Sequence, residues 1–233
     1  NEQEMVDSNK KADREGIVYI KDGKEGPEVK TPDYFKPLYQ SVIESGYIGA
    51  SNPIEYGGGG APFAMGILNG EIGIASNMAF YMGPGLSQGA IKAILKKGNK
   101  ELKDKYLPKM ISGEWMGTMC LTEPQCGTDL GLIRSTATPE GDYYKLNGQK
   151  IWISFGEHDL TENIIHLVLA RLPDAPEGIK GISLFLVPKR LDDNSRNPIF
   201  CGGLEHKLGI ISSPTCVMNM DDAKGWMIGE PNK

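Results

Sequence analysis

No apolar run in the 233 residues approaches the length needed to cross a bilayer, and the start lacks the charged-then-apolar pattern of a secretion signal. There is no Asn-x-Ser/Thr acceptor site and no internal repeat. Four cysteines (Cys120, Cys126, Cys201, Cys216) show neither CxxC spacing nor the density of a disulfide scaffold, so reduced thiols in a cytoplasmic protein are expected. Positive charge is not in excess. Lys and Arg number 25 against 30 Asp and Glu, and the formal charge of −5 offers no footprint for nucleic acid. Position 1 is Asn rather than Met, which reads as a processed product or a fragment. What is present is ordinary globular material. Hydrophobic residues make up 39% and charged residues 24%, so wholesale disorder is not expected, and the length allows one large domain or two small ones with a sizeable core.

The hydrophobic period changes along the chain. Residues 1–113 read as helices broken by loops. A polar segment at 1–15 is compatible with a helix, and 16–30 reads as a Gly/Lys/Glu-rich connector with one apolar patch at 17–20. Thr31, Pro32 and Asp33 look like a helix start, with a cap, a first-turn proline and an acid near the positive end, and Gly46 like its stop. A loop with four successive glycines follows at 57–60. Helical spacing covers 63–80 and 86–97, and Asn99 caps a further helix ending near Gly113. From 114 to 233 the pattern is short strands rich in β-branched and aromatic residues: 115–122, 133–138, 142–146, 149–155, 164–171, 181–187 and 215–220. Asn147-Gly148 between two of them is a hairpin signal. The expectation is an α+β chain, a helical domain (1–113) followed by an antiparallel β-barrel or sandwich (114–233).

Two segments carry chemistry. In residues 121–129 (LTEPQCGTD), Pro124 and Gly127 stop a strand and turn the chain, leaving the hydroxyls of Thr122 and Thr128 near one crevice. Taken alone this is equally a strand with a polar turn. About twenty residues on, residues 150–154 (KIWIS) place Trp152 and Ser154 on one face if alternation holds, with Ile151 and Ile153 on the other. A Trp beside a hydroxyl makes a surface that can stack a flat ring and hydrogen-bond its edge. The glycines at 83, 85 and 89 have the wrong spacing for a dinucleotide loop, and 57–60 lacks the remainder of a P-loop. Glu157, His158 and Asp159 are adjacent rather than spaced for a metal and read as a charged loop. His166 reads as a packed or paired ring, Cys120 as a small core residue, and the lysines from 92 to 105 as a solvated helix face.

With these residues in view, the chain resembles the acyl-CoA dehydrogenase family. The family element L/V-T-E-P-x-x-G-S/T-D is matched at 121–129, L-x-G-x-K-x-W-I-S/T at 146–154, and E-H-K-x-G-x-x-x-S-P-T at 205–215. The stretches 156–163 and 172–178 look most like the larger bacterial members, those acting on 3-methylmercaptopropionyl-CoA among them. The resemblance implies FAD as cofactor and α,β-dehydrogenation of an acyl-CoA thioester. It implies that Met119, Leu121, Thr122, Trp152, Ile153 and Ser154 face the flavin and that Thr128 faces the CoA chain. Trp152 covers the ring and Ser154 approaches its reactive nitrogen. Cys126 and Gln125 stand where the family usually has small residues. An electron acceptor such as electron-transfer flavoprotein and a homodimer or homotetramer follow from the same likeness. The family places its catalytic carboxylate in a C-terminal helical domain, expected to be absent from this chain, so Glu123 is not given that role and no metal is expected. Two rival readings are an acyl-CoA oxidase that passes electrons to O2 and a non-catalytic module binding flavin or acyl-CoA.

Overall fold

In the computed structural model, which describes residues 2–232, helices dominate up to Ser112 and strands follow from Trp115. In chain order the elements are α1 (Glu2–Glu15), β1 (Val18–Ile20), β2 (Glu28–Lys30), α2 (Phe35–Glu44), α3 (Phe63–Lys97) and α4 (Lys100–Ser112). Then come β3 (Trp115–Cys120), β4 (Thr136–Glu140), β5 (Tyr143–Ser154), β6 (Asn163–Arg171), β7 (Ile182–Pro188), β8 (Ile199–Glu205) and β9 (Thr215–Ile228). The expected connector at 16–30 is a small antiparallel ribbon of β1 on β2.

Local chemistry sets several boundaries. The Asn99 side chain accepts from Leu102 N–H at 2.9 Å and starts α4, which stops at Gly113 with φ of +84°. The helix start expected at Thr31 is not one. α2 begins at Phe35 with no side-chain cap, because Thr31 spends both its N–H and its hydroxyl on Asp159, at 3.0 and 2.8 Å. The two expected helices at 63–80 and 86–97 are merged across Gly83 and Pro84, and the break falls earlier. Asn77 leaves helical geometry (φ −156°, ψ 91°), and its side chain caps the second segment by accepting from Phe80 N–H at 3.0 Å. Gly83 and Pro84 therefore lie inside a helix, and a Cβ at Gly83 would approach the Phe155 ring to 2.9 Å.

The hairpin expected at Asn147-Gly148 is also absent. β5 runs straight through both residues, and the turn to β4 falls at Gly141-Asp142, with Gly141 at φ +65°. Gly148 instead sits at an irregularity in the β5–β9 register, and Asn147 exchanges hydrogen bonds with Asp222 on β9. Nor is the sheet antiparallel throughout. β3 pairs parallel with β6, and β4 meets β6 in parallel at Thr136 and Arg171. The remaining pairings, β4–β5, β5–β9, β9–β7 and β7–β6, are antiparallel, and β8 adds to β9.

Core clusters join the two parts. Ile91, Ile94, Leu107 and Met110 of α3 and α4 pack on Ile165, Leu167 and Leu186 of the sheet. Phe35, Phe80, Met116 and Phe155 form a second junction. The first half of α3 is different, since Phe63, Ile67, Leu68, Ile72, Ile74 and Met78 are all exposed.

Candidate functional site

The two motifs singled out in the sequence lie side by side. Ile151 N–H donates to Thr122 O at 2.9 Å, the Lys150 ammonium to Leu121 O at 3.1 Å, and the Thr118 hydroxyl to Ser154 O at 2.6 Å. The turn between them is closed by reciprocal backbone bonds, Glu123 N–H to Cys126 O at 2.9 Å and Cys126 N–H to Glu123 O at 3.0 Å. Under that turn lies an ion pair that inspection of the sequence missed. Lys150 is 0% exposed and Glu123 3%, and Lys150 Nζ stands 2.7 Å from Glu123 Oε1. The carboxylate also accepts from Ser135 N–H at 3.0 Å, Arg134 N–H at 2.8 Å and the Gln125 amide at 2.6 Å. Burial by itself raises the Glu123 carboxyl, but the hydrogen bonds from Lys150, Ser135 and Arg134 outweigh it and hold the group at about 2. Burial also lowers the Lys150 ammonium, with Glu123 pulling the other way. A carboxylate so satisfied is anionic at neutral pH and has no lone pair aimed at a substrate.

Trp152 is the exposed member of the second motif. Its side chain is 51% exposed and its backbone sits at φ +58°, a region that bulky residues rarely occupy. The register shift between Lys150 and Ile153 accounts for this. It also breaks the alternation expected across the strand end: Ile153, Ser154 and Phe155 are buried in succession. Ile153 enters the sheet core, which leaves its side chain no part in a surface site. Phe155, at φ +53°, turns to the helical side and packs with Phe35, Phe80 and Met116. Ser154 is buried, with its carbonyl engaged by Thr118. Leu121 and Thr122 are half-buried, and Met119 is half-buried against the α3–α4 cluster. Thr128 is exposed beyond the turn, where its carbonyl accepts from Leu130 N–H at 3.2 Å. Following it, the Arg171 guanidinium gathers the carbonyls of Gly131, Ile133, Pro176 and Gly178 and ties the two loops together.

The loop at 157–159 is not the solvated feature that its charges advertise. Glu157 is buried between Lys189 and Arg196, Asp159 holds Thr31 and Lys36, and the His158 ring packs edge-on against Phe155. Burial pushes the Cys120 thiol up to about 12, and its sulfur lies 3.9 Å from Nδ1 of the buried His166. All four cysteines are free and buried.

Known protein domains match both parts of the chain. The N-terminal domain of acyl-CoA dehydrogenases matches residues 21–114, and the middle domain matches 118–223. The chain is 48% identical over 214 residues to 3-methylmercaptopropionyl-CoA dehydrogenase of Ruegeria pomeroyi, covering 89% of this chain and 36% of that protein. It thus spans just over a third of that relative's length. An acyl-CoA dehydrogenase from Geobacillus kaustophilus superposes with a TM-score of 0.79 at 27% identity, over 100% of this chain and 56% of that one. One from Bacillus anthracis, complexed with FAD, gives 0.77 at 25% identity, over 99% and 35%. With two family domains matched over most of its length and both motifs brought into contact, the chain belongs to the acyl-CoA dehydrogenase family.

Proposed function

We propose that the protein binds FAD against the surface formed by Trp152 and Thr122 and serves the α,β-dehydrogenation of an acyl-CoA thioester. One observation carries this: a half-exposed indole, held at a disfavoured φ, is tied through its own strand to a half-buried threonine. Strain of this kind persists where the surroundings over-determine a conformation, and functional sites are where it gathers. The residues fit a flavin. Trp152 offers a face for stacking, and the Thr122 hydroxyl hydrogen-bonds no other described residue, which leaves it for a polar edge. FAD, when bound, supplies the two-electron chemistry, and the protein supplies place and environment.

Each residue then has a part. Trp152 covers one face of the ring and keeps water from it. Thr122 and the main chain at Leu121 address the polar edge, and Met119 lies behind them. Ser154 contributes a hydroxyl from the same strand end, and the main chain at Ile153 lies between the two. Thr128, beyond the turn, faces the CoA chain of the substrate. Glu123 is excluded as the base for the α-proton, because its lone pairs and charge are committed to Lys150 and three further donors. The strand pairings return from β7 to β6, and we read them as a small barrel whose rim carries the site. The likeness to the Ruegeria protein supports 3-methylmercaptopropionyl-CoA as the substrate. Electron-transfer flavoprotein as acceptor, and a homodimer or homotetramer as assembly, belong to the same reading.

The test is direct. Purified full-length protein should be yellow, and 3-methylmercaptopropionyl-CoA should bleach its visible band without oxygen. A colourless preparation that gains no band with added FAD overturns the cofactor. A yellow preparation bleached by longer acyl-CoA thioesters but not by this one overturns the substrate.

A further inference from the structure

We propose that Lys150 is a positioning residue for the flavin surface: its buried ammonium clamps the 121–123 segment to the strand end that carries Trp152. This rests on the reading of that surface as the FAD site. Lys150 stands two residues before Trp152, and its ammonium donates to Leu121 O at 3.1 Å and Glu123 Oε1 at 2.7 Å. Between them, Ile151 N–H is committed to Thr122 O at 2.9 Å. Two successive residues of one motif, Lys150 through its side chain and Ile151 through its main chain, are therefore bonded to three successive residues of the other. Ser135 N–H shares Glu123 Oε1 with Lys150, and the other oxygen collects Arg134 N–H and the Gln125 amide, so the clamp also fixes the segment that leads into β4.

Stability alone does not call for this arrangement. A buried ion pair is often matched or bettered by apolar side chains of the same size, because desolvation offsets the attraction. What the pair offers is direction. An ammonium has three donors to distribute, and here two known acceptors lie on the opposing segment. The left-handed backbone at Trp152 needs such over-determination, since nothing in its own sequence favours it. Relaxation of the clamp would let Thr122 and Trp152 drift apart, and a ring held between them would lose its edge or its face.

The test is the full-length double variant Lys150→Met with Glu123→Gln, which leaves no unpaired buried charge. It should fold, with the circular dichroism of the parent, but bind FAD roughly tenfold or more weakly. Its bound flavin should show a shifted visible band, and kcat should fall further than KM rises. A folded variant with the parent's FAD affinity and spectrum overturns the inference, while a parent that takes up no FAD overturns the functional reading first. Amide hydrogen exchange on the parent gives a measure that needs no variant. The Ile151, Arg134 and Ser135 amides should be among the slowest at the site. Exchange at the rate of the exposed turn would show that no clamp exists, whether or not the variant folds.

Discussion

Trp152 stands where neither packing nor backbone preference would place it. A bulky residue at φ +58° costs roughly 1–2 kcal/mol, and half of the side chain gains nothing from burial. From sequence alone the residue could have been an ordinary core tryptophan, whose removal typically costs about 3–5 kcal/mol. The exposure changes that expectation. Trp152→Ala should lower the unfolding free energy in urea by less than about 1.5 kcal/mol while weakening FAD binding roughly tenfold or more. Trp152→Phe should retain most of the affinity. A loss in the core range for the alanine variant, with FAD bound as in the parent, would show the ring to be structural.

At the scale of elements, Gly148 is the position most at odds with its local sequence. Asn-Gly is strong turn chemistry, yet the pair lies within β5, where Gly148 takes φ +140° and a side chain would overlap Ser135. Gly148→Ala should therefore destabilise by roughly 1–3 kcal/mol in chemical denaturation, because the new side chain must both accept a positive φ and displace Ser135. The same contrast shows what could be read beforehand. α4 was legible at both ends because Asn99 and Gly113 act on residues within one turn of themselves. The start of α2 was not, since the partner that takes Thr31 is Asp159, 128 residues away. Likewise Asn77 breaks α3 through a cap and a bond to Ser8, while Pro84, the obvious breaker, is accommodated. The two site motifs were legible as a pair through family likeness, and the main chain at Ile151, next to Trp152, is bonded to Thr122. Lys150 and Glu123 were not recognised as a unit, because a charge in a short strand ordinarily faces water.

At the scale of the molecule, several ionisable groups are buried at the helix–sheet junction and within the sheet part, and this makes the fold sensitive to acid. His158 accepts from Leu160 N–H at Nδ1, and its Nε2 has no partner among the described residues. Burial, with Lys189 nearby and Asp159 in partial opposition, lowers it from 6.5 to about 3. His166 is likewise held well below its ordinary value by burial and by Arg196, Lys189 and His158. Both rings stay neutral in the fold and take up a proton on unfolding. A base whose folded pKa is depressed contributes stability that is complete above its unfolded value and is lost as pH falls below it. The loss thus begins near pH 6.5, and with two protons involved its slope approaches about 2.7 kcal/mol per pH unit. Glu123, at about 2 in the fold against 4.5, adds a contribution of the same sign below pH 4.5, as does Asp159, which Lys36 and Thr31 hold down against burial. The melting temperature should accordingly fall in two stages, from pH 6.5 and again from pH 4.5. His158→Gln should roughly halve the slope of the first stage and leave the second in place. A melting temperature that is flat between pH 6.5 and 5 would mean that the two rings take up protons in the folded protein over the same range as in the unfolded chain, and that their surroundings are wetter than the geometry implies.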